Sequence, residues 1–260
     1  LVDPFPAVAE SAATGQTAEL FADIRATIGV RVVNLVWRHL ATMDGALPWA
    51  WAAVKPLYLD GIVDQAVVRF RETMVLPALG SLAGEEPASV DHVLASYDHS
   101  NAINLFALGA LAAWLRGETV AAAFPKRGPR LPTPDVILPK LVSQDDVPPE
   151  TWALVLRLNH FGDPRPVILA SMYRHLAHAP AFLQQLEMVL KPVEGALEKI
   201  ILGNKARAYE RSQLLARAID APMPKNAAEI EKAVAAFVDH AIGKMVTICR
   251  AIRVARGTVS

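Results

Sequence analysis

Two arginine–histidine pairs, Arg38-His39 and Arg174-His175, carry the plainest chemical potential in this sequence. A guanidinium offers a rigid fork of donors that fits a carboxylate. An imidazole carries a proton near neutral pH. The pairs admit two readings. In one, each arginine bridges to an acidic residue of its own half, such as Glu72 or Glu210, because a buried cation needs a partner. In the other, Arg38 or Arg174 faces a cleft and takes the carboxylate of a small molecule.

A second group lies along Tyr97-Asp98-His99-Ser100-Asn101-Ala102-Ile103-Asn104-Leu105. Asn101 and Asn104 are three apart and share a helix face. Asn104 begins a very apolar run, where an amide side chain needs a partner. The two either cap and bond the backbone, or line an inner pocket and orient water or a carboxylate. Asp98-His99 recurs as Asp239-His240. Neighbours on a helix point about 100° apart, so neither aspartate can orient its histidine, and both pairs read as solvated helix ends. There is no Gly-x-Ser-x-Gly elbow. Cys249 is the single cysteine, which excludes an intramolecular disulfide and any CxxC motif. The histidines lack HExxH spacing, so no metal or other cofactor is expected. Lys244, Arg250, Arg253 and Arg256 read as a solvated face that complements a helix C-terminus.

These residues need helices to position them. The periodicity predicts helices over 17–28, 31–42, 46–59, 62–76, 88–99, 101–116, 149–160, 166–177, 180–200, 204–219, 226–240 and 242–256, with no strand. Asn226 with Glu229 reads as a capping box. Gly117 and Gly257 suit helix stops. Trp37, Trp49, Trp51 and Tyr173 follow helical spacing and read as core. The longest apolar stretch, Ala102 to Leu115, is shorter than the roughly 20 residues of a bilayer span. Lys plus Arg equals Asp plus Glu, at 26 each, leaving no excess to hold nucleic acid. With 260 residues, 53% of them hydrophobic, the chain can build a large core. A cytoplasmic protein is expected, with no membrane partner; a homodimer is compatible with the sequence.

One stretch stands apart. Residues 124–149 carry Pro125, Pro129, Pro132, Pro134, Pro139, Pro148 and Pro149, too many for a helix. They form an extended linker, whose Val136, Ile137, Leu138 and Leu141 should pack along the surface. It divides the chain into units 1–123 and 150–260, and the units resemble each other. Arg38-His39-Leu40-Ala41 recurs as Arg174-His175-Leu176-Ala177. In the same register Leu47 meets Leu183, Lys55 meets Lys191 and Pro56 meets Pro192. With a small insertion, Arg116-Gly117 then meets Arg256-Gly257. The expectation is an all-α fold of two tandem helical repeats about a pseudo-two-fold axis. Asn101 and Asn104 match Ile242 and Met245, so a site on that axis would be asymmetric.

The repeat order, Tyr97-x-x-x-Asn101-x-x-x-Leu105 opening an apolar helix, and Leu176-Ala177-x-x-Pro180 together resemble the group I 2-haloacid dehalogenases. The resemblance covers residues 17–257. A single repeat also faintly resembles the alkylhydroperoxidase-D-like unit, whose CxxC is absent. What the first resemblance implies is a cofactor-independent hydrolase. An aspartate of the second repeat activates water, an asparagine of the first helps hold it, and halide leaves C2 with inversion. Asn101 matches that asparagine. The aspartate falls near Ser171 or Met172, yet 167–180 holds no Asp or Glu. His175, one turn on, is the remaining base. The implied catalytic set is Asn101, Ser171 and His175. Asn34, Trp37, Asn104, Met172, Tyr173 and Arg174 would bind a small carboxylic acid between the repeats. The alternative is a non-catalytic binding protein on the same fold.

Overall fold

The computed structural model describes residues 5–82, 84, 86–121 and 126–259. Phe124 and Pro125, at the start of the expected linker, lie outside the described residues. Among the described residues every regular element is helical. In chain order the α-helices are α1 (Gly15–Ile28), α2 (Leu35–Leu40), α3 (Ala46–Leu59), α4 (Ile62–Arg71) and α5 (Ala88–Leu115). There follow α6 (Pro149–His160), α7 (Ser171–Leu176), α8 (Pro180–Leu190), α9 (Glu194–Leu215), α10 (Ala227–Phe237) and α11 (Gly243–Ala255). A π-helical turn, Val238–Ile242, joins α10 to α11 without a break. No helix among the described residues is long and apolar enough to cross a membrane.

The helix α5 organises the rest. It is 28 residues long and packs on α3, α4, α7, α9, α10, α11 and the π turn. The sequence suggested two helices meeting near Ser100. The chain instead runs through as one helix, and Asn104 turns inward, donating from Nδ2 to the Ser100 carbonyl at 2.8 Å. A second expected break, between 200 and 204, is also absent. Gly203 and Asn204 lie inside α9, and the break falls at the 3-10 turn Lys191–Val193, where Pro192 lacks an amide donor. Asn204 does not end a helix. It donates to the Val75 carbonyl at 2.8 Å and accepts from the Val75 amide at 3.0 Å. The capping box of Asn226 and Glu229 does not form; Asn226 donates to the Asp44 carbonyl instead. Gly117 and Gly257 do stop their helices, at φ of +70° and +68°. The amide after each reaches back to a carbonyl five residues earlier, Ala113 and Arg253.

Residues 126–148 form a strap pinned at both ends. On one side the Leu131 amide donates to Asp64 at 2.8 Å and Gln65 to the Pro129 carbonyl at 2.9 Å. On the other, Arg174 donates to the Val142 carbonyl at 2.7 Å and His178 bonds that of Lys140 at 2.8 Å. Leu138 and Leu141 turn inward, whereas Ile137 is exposed rather than packed.

Two apolar cores fill the molecule. The first is built on α1–α4 and the later part of α5, and takes Ile230, Val234 and Phe237 from α10. The second is built on α6–α9 and α11, and takes Leu82, Val90, Val93 and Leu94 from the start of α5 and the segment before it. Trp37, Trp51 and Tyr173 are fully buried; Trp49 is half-buried and donates to the Pro222 carbonyl at 2.8 Å.

Candidate functional site

Where the two cores meet, a cavity of ≈ 60 Å³ opens between helices of both halves. Asn34 enters it from the N-cap of α2 and Arg38 from the last turn of that helix. Ser96, Tyr97, Ser100 and Asn101 come from the middle of α5. Ser171, Met172 and His175 come from α7. Ala241, Ile242 and Met245 close it from the π turn and α11, and Leu138 and Leu141 of the strap lie across it. Among the described residues the lining is mostly apolar and contains no Asp or Glu. Its one permanent cation among the described residues is Arg38, whose Nε donates to the Val33 carbonyl at 3.2 Å.

A buried polar network fixes the first wall. Asn104, fully buried, accepts at Oδ1 from Trp37 Nε1 at 3.2 Å and from the Tyr58 hydroxyl at 2.8 Å. Its Nδ2 donates to Asn34 Oδ1 at 3.1 Å, and Asn34 Nδ2 donates to Ser100 Oγ at 3.2 Å. Asn104 has thus filled its capacity inside the protein. What it orients are the Asn34 and Ser100 side chains that reach the cavity.

The opposite wall carries His175, 1% exposed. Its Nδ1 lies 3.2 Å from the Tyr97 hydroxyl. Burial, helped by the nearby charges of Arg174, His178 and Arg38, pushes its pKa down to about 4, so the ring is neutral at pH 7. A neutral imidazole of that pKa is a base about as strong as an ordinary carboxylate.

The structure therefore brings Asn34, Asn101, Ser171, Met172 and His175 to one cavity. Trp37, Asn104, Tyr173 and Arg174 are not on its lining. Trp37 and Asn104 stand behind it in the network just described. Tyr173 is fully buried, and its hydroxyl has no partner among the described residues. The partners suggested for the two arginines are not used: Glu72 and Glu210 are exposed, and both guanidinia bond backbone carbonyls. His39 bonds the Pro6 carbonyl at 2.7 Å and packs edge-on against Phe5, away from the cavity.

The charged groups read as solvated are largely not so. Asp98 is 3% exposed and its Oδ2 accepts from Arg253 at 2.7 Å, Arg71 at 3.0 Å and Arg250 at 3.3 Å. Arg256 pairs with Asp91 at 2.7 Å, and Lys244 is buried. His99 is buried on the Ile28 carbonyl at 2.9 Å, and burial lowers its pKa. Asp239 and His240 do stand near the surface, beside Lys205 and Asp163. Sequence reasoning missed Tyr58 and Ser100. Ser100 sits one turn before Asn104, a spacing that could have flagged it.

No family profile and no curated protein matches the sequence. Solved structures do. A D-2-haloacid dehalogenase mutant in complex with D-2-CPA has a TM-score of 0.71 at 18% identity, over 98% of this chain and 97% of that one. A second mutant of D-2-haloacid dehalogenase gives 0.72 at 17%, and the enzyme in complex with L-LA gives 0.72 at 18%, over the same shares. The fold is that of the D-2-haloacid dehalogenases.

Proposed function

We propose that this chain takes a small carboxylic acid into the cavity and hydrolyses the carbon–halogen bond at its C2. The observation that carries the reading is that Arg38, Asn34, Asn101, Ser171 and a neutral His175 all line one cavity. Arg38 supplies the countercharge for the acid. Asn101 and Ser171 can hold a water. With its proton on Nδ1, donated to Tyr97, His175 keeps an acceptor at Nε2. Water oxygen bonds to C2 as the halide leaves with the bond electrons, and the water's proton passes to Nε2. The imidazolium then returns that proton to solvent, and the product is a 2-hydroxy acid. A base of pKa about 4 holds little of the proton at neutral pH, so turnover is not blocked by it.

The likeness in fold to D-2-haloacid dehalogenases supports the substrate class. We read the two halves as duplicates of group I type, with α1–α5 answering to α6–α11. The six-residue helices α2 and α7 begin that match. On this reading the aspartate implied for Ser171 or Met172 is missing, and His175 takes its place. A second reading follows from the lining. Without a carboxylate to repel an anion, the cavity would also serve a protein that binds a small acid and does nothing to it.

Halide release from both enantiomers of 2-chloropropionate and 2-bromopropionate separates the two. Release that is lost in Asn101→Ala and in His175→Gln is the expected result. No release, with calorimetric binding of the same acids lost in Arg38→Gln, would leave the binding protein. Neither release nor binding would remove the carboxylate reading altogether.

A further inference from the structure

Behind the cavity, one buried cation joins two of its walls. Lys244 stands in the first turn of α11 between Ile242 and Met245, both of which line the cavity. It is 1% exposed. Its Nζ donates to the main-chain carbonyl of Asn159 at 2.6 Å, the one hydrogen bond it makes among the described residues. That carbonyl belongs to the last turn of α6, where carbonyls lack an intrahelical donor and the helix dipole favours a cation. The Asn159 side chain then spans the next segment. Its Nδ2 donates to the Ile168 carbonyl and its Oδ1 accepts from the Ala170 amide, each at 3.0 Å. Ile168, Leu169 and Ala170 are cavity wall, and Ala170 leads directly into Ser171, Met172 and His175.

We propose that Lys244 is a positioning residue: through Asn159 it ties the wall 168–170 and the start of α7 to α11, and so sets where Ser171 and His175 stand in the cavity.

Packing alone does not explain a lysine here. An ammonium taken out of water is costly unless it is paired or hydrogen-bonded, and a methionine would fill the same space without that cost. The charge buys one strong bond, at the single carbonyl that anchors Asn159. Burial lowers the Lys244 pKa to about 8, with Asp163 opposing the shift. Asp163 lies on the turn after α6 and is itself 3.5 Å from His240 of the π turn. From α9, Lys205 lies close to Gly243 and reaches Asp239 at 3.9 Å.

The tie itself needs no ligand; only its consequence for an acid rests on the function proposed above. Hydrogen exchange over residues 166–172 of the full chain therefore tests it. In Lys244→Met the Ala170 amide should exchange about tenfold faster, with α3 unchanged. Affinity for 2-chloropropionate should weaken by a similar factor. Unchanged exchange in a folded Lys244→Met protein would overturn the proposal. If that variant does not fold, the unaltered protein decides. Between pH 7 and 9.5, after correction for intrinsic rates, protection at Ala170 should fall relative to α3, because the neutral amine makes a weaker bond. Protection that stays level would again overturn it. Faster exchange in Lys244→Met without any acid binding in the unaltered protein would uphold the tie and remove only the carboxylate reading.

Discussion

His175 combines a chemical position with a thermodynamic cost. Its ring is neutral in the fold and has an ordinary pKa of 6.5 when the chain is unfolded. Between those values the unfolded chain binds a proton that the folded chain refuses. Stability from this group is complete above pH 6.5 and is lost as the pH falls towards 4. The whole effect is on the order of 3 kcal/mol. His175→Gln should shrink the stability difference between pH 7 and pH 4.5 by a large part of that amount, measured by urea unfolding. An unchanged difference would mean that His175 is not held neutral by burial. Lys244 works in the opposite pH range: its folded pKa of about 8 lies below 10.5, so its titration adds stability as the pH rises between the two. Residues of this kind are poorly legible in a sequence. Lys244, Arg250 and Arg253 have the spacing of a solvated face, yet one is buried against a carbonyl and two meet on Asp98. Periodicity reports which face is apolar; it does not report a carboxylate arriving from another helix. Asn101 and His175 were picked out through the family resemblance, and both line the cavity, whereas the repeat register pairs His175 with His39, which bonds the Pro6 carbonyl instead. Arg38 reaches the cavity and Arg174 does not, although both share that register.

At the scale of elements, helix existence was legible and helix ends were not. The stops at Gly117 and Gly257 are local chemistry, since a residue at positive φ is read from its own type. The continuity of α5 through Asn101 and of α9 through Asn204 depends on partners far along the chain, such as Asn34 and Val75. Gly109 shows how closely these two helices approach. A Cβ added there would meet Ser212 Oγ at 2.5 Å and its Cβ at 3.0 Å. Ser212 Oγ is already committed to the Ala208 carbonyl at 2.9 Å, inside its own helix. Gly109→Ala should therefore push α5 from α9 and cost roughly 1–3 kcal/mol, despite the better helix propensity of alanine. Adding Ser212→Ala to the same chain should recover part of the loss. Thermal unfolding of the single and double variants measures both. A Gly109→Ala protein as stable as the parent would show that the crossing has slack.

At the scale of the molecule, the two halves of the sequence are not two separate cores. The first core takes Ile230, Val234 and Phe237 from α10, and the second takes Leu82, Val90, Val93 and Leu94 from the first half. Burying one such side chain contributes roughly 1.5–3 kcal/mol. The seven together exceed about 10 kcal/mol, which is comparable to the whole stability of a typical domain. Polar ties follow the same exchange. Arg256 of the second half clasps Asp91 of α5, and the Leu82 amide donates to the Ala255 carbonyl at 3.0 Å. Loss of either half must then strip the other core of side chains it cannot replace. The chain should unfold in a single cooperative step, although its sequence divides into matching halves. Far-UV circular dichroism, which reports all helices, and tryptophan fluorescence should give coincident urea transitions. Four of the five tryptophans, Trp37, Trp49, Trp51 and Trp114, stand in or against the first core, and Trp152 stands in the second. If the first core melted alone, fluorescence would change before half of the helical signal was lost. Two separated transitions would mean that the exchanged side chains contribute less than their burial implies, and that the cavity lies between two units that open independently. A single transition would mean that the cavity walls, drawn from both halves, are held in place by the stability of the whole chain.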